Sequence, residues 1–275
     1  MSRHIIEHLS RADPVLGGLI RAVGPCRLAI EGDCHPFETL ARAIAHQQLN
    51  GTAANTILRR LVDSCGAGAF PTPAQVLAAS SERLRAAGFS SAKVAALRDL
   101  AEKTVATVVP DAATLLQLTD AEIIERLTEV RGIGRWTVEM LLVFQLGRPD
   151  VLPVDDFGIR SGFQAAYGLR RLPRPQALAL WGERWKPYRT TAAWYLWRAL
   201  ELKRAGTLPV PPERIRLPRI RRRRRSVAGR QSTRTARRAA LRRDGISSAP
   251  PRRAGARKRS RPRRTPRSRA PGSRK

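Results

Sequence analysis

Leu127-Thr128-Glu129-Val130-Arg131-Gly132-Ile133-Gly134-Arg135-Trp136-Thr137 reads as one helix ending, a four-residue turn, and a second helix beginning near Gly134. Two glycines one residue apart permit positive φ and a close approach of backbone. The second helix opens with amides that have no intrahelical acceptor, which makes its start an anion site. Ile133 tucks the turn onto the core. G-x-G alone is more simply a helix corner with a glycine C-cap. Arg131 and Arg135, flanking the amides, tilt the reading toward phosphate.

Outward from this hairpin, residues 1–209 are almost entirely helical in pattern. Phe37, Leu40, Ala41, Ile44 and Ala45 show the i, i+3, i+4 spacing of a helix that buries one face. Segment 37–62 divides at Gly51, which is expected to end the first helix, with a second from Thr52 to about Asp63. Further helices are expected at about 74–87 and 91–108. Thr119-Asp120-Ala121-Glu122 is a capping-box pattern that opens a helix over about 120–130. No segment alternates apolar and polar residues as a strand requires.

The 275 residues carry a formal net charge of +30, unevenly spread. Residues 1–210 hold 26 basic and 20 acidic residues; residues 211–275 hold another 26 basic residues against only Glu213 and Asp244. The body is therefore nearly ordinary, and the C-terminal segment strongly cationic. Apolar periodicity stops at Pro209, Arg221 to Arg225 run unbroken, and Pro, Ser and Ala follow without period. Such a segment buries too little apolar surface to offset its ordering entropy, so 210–275 is expected to be disordered. Its charge calls for an anionic partner, nucleic acid first and a membrane surface second, or else solvent. On duplex DNA it would act without reading sequence, as a salt-sensitive tether.

Exclusions follow from the same sequence. No apolar stretch approaches the roughly 20 residues of a membrane helix. The first ten residues show no secretory signal. Cys26, Cys34 and Cys65 cannot all pair within one chain, which suits a reducing compartment. His4 and His8 are spaced i, i+4 but lack a visible third ligand, so no metal site is expected.

Taken with Leu152-Pro153-Val154-Asp155-Asp156-Phe157, the hairpin resembles that of the helix-hairpin-helix DNA glycosylases, and most nearly the 3-methyladenine DNA glycosylase II (alkylation repair) family. The resemblance runs over roughly residues 5–200 and includes His46-Gln47-Gln48-Leu49, Gly88 to Lys93, and Trp185-Lys186-Pro187-Tyr188-Arg189. It implies an all-α fold of two helical subdomains, one of about 37–148 carrying the hairpin and one of 1–36 plus 149–209. A DNA-binding cleft would lie between them, with 210–275 outside.

Asp155 and Asp156 open the next apolar run, Phe157, Ile159 and Phe163, where an aspartate is most simply an N-cap. By its spacing from the hairpin tryptophan, Asp156 matches the family's essential aspartate, which leaves Asp155 as the cap or a supporting group. The reverse assignment stays open, because the spacing in the endonuclease III branch is one residue shorter. The chemistry asks for a carboxylate: breaking an N-glycosidic bond builds an oxocarbenium-like cation, which an anion near C1′ stabilises. An alkylated purine is already cationic and leaves without much help from an acid.

Strand-cutting glycosylases carry a Schiff-base lysine where this chain has Trp136, so the resemblance implies a monofunctional hydrolytic enzyme. No cysteine follows Cys65, which excludes the four-cysteine iron–sulfur cluster of related branches. No cofactor and no catalytic metal are implied.

In the resemblance Trp136, Met140 and Trp197 line the base pocket, where an aromatic face suits a cationic purine. Trp136 and Trp197 could instead be core; Trp181, Trp185 and Trp194 are read as core. Gln48 is the residue expected to fill the gap left by a flipped base, although the Gln47-Gln48 pair could equally cap a helix junction. Arg131, Gly132, Ile133, Gly134, Arg135 and Thr137 are the expected DNA-binding residues. Lys93 could touch phosphate or be solvated, and His46 could face DNA.

The expected protein is thus a monomeric, cytoplasmic, nucleoid-associated enzyme acting on double-stranded DNA, with no membrane partner, that excises alkylated purines. Two alternatives are a glycosylase of different base range (uracil or oxidised purine) and a non-catalytic DNA-binding protein with the same hairpin.

Overall fold

The computed structural model describes residues 3–31, 35–211, 215, 217 and 218. Among them every regular element is helical: α1 (Arg3–Ala12), α2 (Pro14–Val23), α3 (Pro36–His46), α4 (Gly51–Cys65), α5 (Pro73–Ala78), α6 (Ser81–Ala86), α7 (Ser91–Val105), α8 (Ala112–Gln117), α9 (Asp120–Thr128), α10 (Arg135–Phe144), α11 (Phe157–Ala166), α12 (Pro175–Gly182), a 3-10 turn (Glu183–Trp185) and α13 (Arg189–Ala205). No helix among the described residues is long and apolar enough to cross a membrane.

Most starts are written locally. Asp13, Asn50, Thr72, Ser80, Ser90, Asp111, Thr119 and Asp156 each accept the N–H three residues on, which satisfies a donor the first turn leaves unpaired. The Thr119–Glu122 capping box forms as its sequence predicts, and Thr72 with Gln75 forms another.

Caps also explain where the expected boundaries shift. The helix expected over 74–87 is two, because Ser80 caps α6 while Ala79 is extended (ψ 138) and its carbonyl takes the Arg98 guanidinium. Gly51 does not end a helix. The chain leaves α3 at His46, and Asn50 caps α4 with Gly51 as its first residue. α8 had no expectation; Asp111 caps it.

Buried apolar side chains form two clusters. The first gathers Leu40 and Ile44 of α3, Leu58 and Leu61 of α4, Leu97 and Leu100 of α7, Ile123 and Leu127 of α9, and Val138 and Leu142 of α10. The second gathers Leu9, Leu16, Leu19, Ile159, Phe163, Trp185, Tyr195 and Leu196. Each such side chain stabilises the fold by roughly 1.5–3 kcal/mol on leaving water. Ile215 and Leu217 rest on the second cluster, so packing continues past Pro209. The expectation of disorder otherwise lies outside the described residues.

The chain crosses between the clusters at residues 148–152, and the start of α13 pins that crossing. Thr190 Oγ1 accepts from Val151 N (2.9 Å) and donates to Arg148 O (2.6 Å), while Arg189 Nε donates to Asp150 Oδ1 (2.8 Å). A few residues later, α13 runs against α11 with almost no space. A Cβ on Gly162 would lie 1.8 Å from Leu196 O. Glycine there lets the two backbones touch, and it brings the next residue, Trp197, to the N-terminal end of α11.

Candidate active site

The hairpin between α9 and α10 is held from both sides. Ile133 N donates to Val130 O (3.0 Å), closing the turn, and Ile133 is buried (4% exposed) in the first cluster. Gly132 has φ +79, a conformation L side chains avoid. From just past the end of α3, Gln47 Nε2 donates to Gly132 O (2.8 Å). From α7, Asp99 Oδ2 accepts Arg131 N (2.6 Å), and Lys103 bridges Asp99 (2.9 Å) and Glu129 O (2.5 Å). Burial would raise the Asp99 carboxyl, but the Arg131 amide and Lys103 outweigh it and hold it below the ordinary value.

Gly134 caps α10 in extended conformation without a side-chain bond. A Cβ there would meet nothing within 4 Å, so its face is open. No acceptor among the described residues takes the amides of Gly134, Arg135 and Trp136. This is the geometry of an anion-binding helix start.

Arg131, Gly132, Gly134 and Arg135 are exposed, and Thr137 is half-buried. Two expectations change in detail. Ile133 can offer DNA only its backbone. Arg135 does not simply flank the amides: its Nε donates to Glu139 Oε1 (2.8 Å), one turn on. Glu139 is itself buried, with a side chain only 4% exposed. Burial pushes its carboxyl up, Arg135 pulls it down, and the negative charges of Asp155 and Asp156 push it up again, for a net rise. The i, i+4 spacing from Arg135 was the available signal for this pair.

A cavity of about 550 Å³ opens between α3 and α10. Leu40, Ala43, His46, Gln47 and Gln48 line one wall; Trp136, Thr137, Met140, Phe144 and Gln145 line the other. Trp136 is 49% exposed, a large ring left facing outward. Gln48 is exposed with φ +58, which turns the chain sharply just after α3.

Asp156, the residue matched to the family's essential aspartate, is also the N-cap that the sequence reading had left to Asp155. Its Oδ1 accepts Ile159 N (2.7 Å), capping α11, and also Trp197 Nε1 (2.9 Å). Its Oδ2 accepts Trp136 Nε1 (2.8 Å). Asp155 is exposed and is not the cap. Trp197 does not line the cavity. It stacks on Phe144, which does, with ring centroids 5.7 Å apart. Phe157, expected in the buried run, is 71% exposed beside Asp156; as the first residue of α11 it precedes the apolar face.

Trp181, Trp185 and Trp194 are buried. Lys93 is half-buried: its Nζ donates to Ala45 O (2.7 Å) at the end of α3, and burial lowers its ammonium below the ordinary value. His4 Nε2 meets Tyr188 Oη (3.0 Å) and His8 Nε2 meets Lys186 O (2.8 Å), so both rings work inside the fold. Among the described residues no three His, Cys, Asp or Glu side chains converge as metal ligands.

The chain belongs to the HhH-GPD superfamily of base excision DNA repair proteins, whose sequence profile matches residues 41–187. DNA-3-methyladenine glycosylase 1 of Schizosaccharomyces pombe is 41% identical over 209 residues, covering 75% of this chain and 91% of the relative. The solved structure of the S. pombe 3-methyladenine DNA glycosylase in complex with abasic DNA has 40% identity and a TM-score of 0.63, covering 71% of this chain and 95% of that one. A Bacillus halodurans DNA-3-methyladenine glycosidase has 34% identity and a TM-score of 0.67, over 73% and 91% of the two chains.

Proposed function

We propose that the protein is a monofunctional DNA glycosylase that hydrolyses the N-glycosidic bond of alkylated purines, of the 3-methyladenine and 7-methylguanine type, in double-stranded DNA. The product is an abasic site for base excision repair. The observation that carries this reading is Asp156, a carboxylate gripped by two indoles, one of which lines the cavity. The activity named for the S. pombe and B. halodurans relatives supports it.

The hairpin amides, with Arg131 and Arg135, grip a phosphate. The damaged nucleotide is flipped out, at a stacking loss of a few kcal/mol, and Gln48 occupies the gap. The base enters the cavity against Trp136 and Met140. A ring already carrying positive charge is favoured by an aromatic face and leaves without a general acid. As the bond breaks, the Asp156 carboxylate steadies the cation at C1′ and orients the attacking water. Trp136 has no amine with which to form a Schiff base, so the strand stays intact. The enzyme acts as a monomer at the nucleoid, and the basic C-terminal segment tethers it to duplex.

The test is base release from methylated duplex DNA. Asp156→Asn is expected to slow release of 3-methyladenine and 7-methylguanine by at least about 100-fold while DNA binding survives. Unchanged release would refute the role of Asp156, and no release by the wild type would leave a DNA-binding protein only. Release of uracil or an oxidised purine in place of the methylated bases would refute the substrate class.

A further inference from the structure

We propose that the indole N–H groups of Trp136 and Trp197 form a clamp that fixes the Asp156 carboxylate for reaction, and that Gly158 is glycine because the clamp needs its space. This rests on the reading of Asp156 as the catalytic residue and adds how its oxygens are placed.

An ionised carboxylate has about four acceptor positions. Oδ1 fills two of them, with Ile159 N at 2.7 Å and Trp197 Nε1 at 2.9 Å. Oδ2 fills one, with Trp136 Nε1 at 2.8 Å. Oδ2 is therefore the oxygen with capacity to spare, and it is the one held by the ring that lines the cavity. An N-cap bond by itself holds only Oδ1. The two indoles fix the rotation of the whole group, so the anion needs no rearrangement as positive charge develops at the sugar.

The surroundings show that space was made for this. Gly158 is helical, so its φ does not require glycine. A Cβ at Gly158 would lie 3.0 Å from Asp156 Oδ1, 3.0 Å from Trp197 Cδ1 and 3.2 Å from Trp197 Nε1. One turn on, Gly162 admits the Leu196 carbonyl. The two glycines let α13 come close enough for Trp197 to reach the acid. Stacking on Phe144 needs only an aromatic ring; the hydrogen bond needs the indole N–H. Because Trp197 does not line the cavity, it acts through Asp156 and is a positioning residue.

The experiment uses the full chain and two duplex probes. One carries a neutral tetrahydrofuran abasic analogue; the other carries a pyrrolidine analogue whose protonated nitrogen mimics the cationic sugar. The affinity ratio between them reads the placement of the anion. Wild type is expected to prefer the cationic probe by about tenfold or more. Trp197→Phe keeps the ring and removes the donor; Gly158→Ala keeps both indoles and crowds the clamp. Both are expected to lose most of the preference while binding the neutral probe within about twofold of wild type. Both are also expected to slow single-turnover excision of 7-methylguanine about 10- to 100-fold at an unchanged half-saturating concentration.

Thermal unfolding identifies a variant that fails to fold, in which case the other carries the test. If the folded variants keep the preference, the clamp is wrong, even if excision falls, since Trp197 would then act on the base. If Asp156→Asn keeps the preference, it is the assignment of Asp156 that fails.

Discussion

Asp13 is the buried counterpart of Asp156, and its replacement tests how firmly α11 and α12 are seated. Its side chain is 1% exposed. Oδ1 caps α2 through Leu16 N (3.2 Å), and Oδ2 takes Tyr167 Oη (2.7 Å), Trp181 Nε1 (3.0 Å) and Trp185 Nε1 (3.0 Å). All four partners donate. Burial, and then the negative charge of Asp13, raise the Tyr167 phenol well above its ordinary value, so that hydroxyl remains a donor.

Asp13→Asn is nearly the same size but supplies only one acceptor oxygen. With that oxygen kept toward the three rings, the amide NH₂ faces the Leu16 N–H, and the cap is lost at about 0.5–2 kcal/mol. The ring bonds become neutral ones, each about 1 kcal/mol weaker than a bond to a charge. Relief from burying an anion offsets part of this. The net is about 2–4 kcal/mol, or roughly 5–15 °C of Tm for a body of this size. Thermal unfolding followed by tryptophan fluorescence and far-UV circular dichroism measures it. A fall below about 2 °C would refute the claim that this carboxylate holds the second cluster together.

Two further outcomes are expected. Asp99→Asn weakens the hairpin anchor and lowers stability by about 1–2 kcal/mol. Because the folded Asp99 carboxyl lies below its ordinary value of 3.8, its contribution is present above that pH and is lost as pH falls through the depressed value. Unfolding of wild type and variant from pH 7 to 3 is expected to show a gap that closes only at the acid end; a gap that widens there would contradict the anchor. Deleting residues 222–275 removes 22 basic residues against one acidic, Asp244. The plot of log affinity for duplex against log salt should flatten by about 0.9 for each phosphate that the shortened chain no longer neutralises, with single-turnover excision at saturating enzyme unchanged. Loss of excision would show that the segment belongs to the site.

Much of this protein was legible locally. The Thr119 capping box, the Gly132–Gly134 turn and the apolar faces of α3 and α7 are set by neighbours three or four residues away, and spacing along the chain reveals them. The break at Ser80 and the start of α4 at Asn50 were legible in principle, since a serine or asparagine cap competes with helix continuation. They were obscured by apolar residues that kept helical period on both sides.

What sequence determined by itself was the inventory: helices, a glycine hairpin flanked by arginines, an acid pair about twenty residues on, tryptophans, and a charge excess gathered at one end. Only the tertiary structure decided which acid is held and by what. Trp136, Asp156 and Trp197 lie on three separate elements. Their meeting depends on Gly158 and Gly162 leaving room for α13. Periodicity records which face of a helix is buried. It does not record the close crossing of two helices, because that distance is set by the side chains missing at the crossing and by packing contributed from distant parts of the chain.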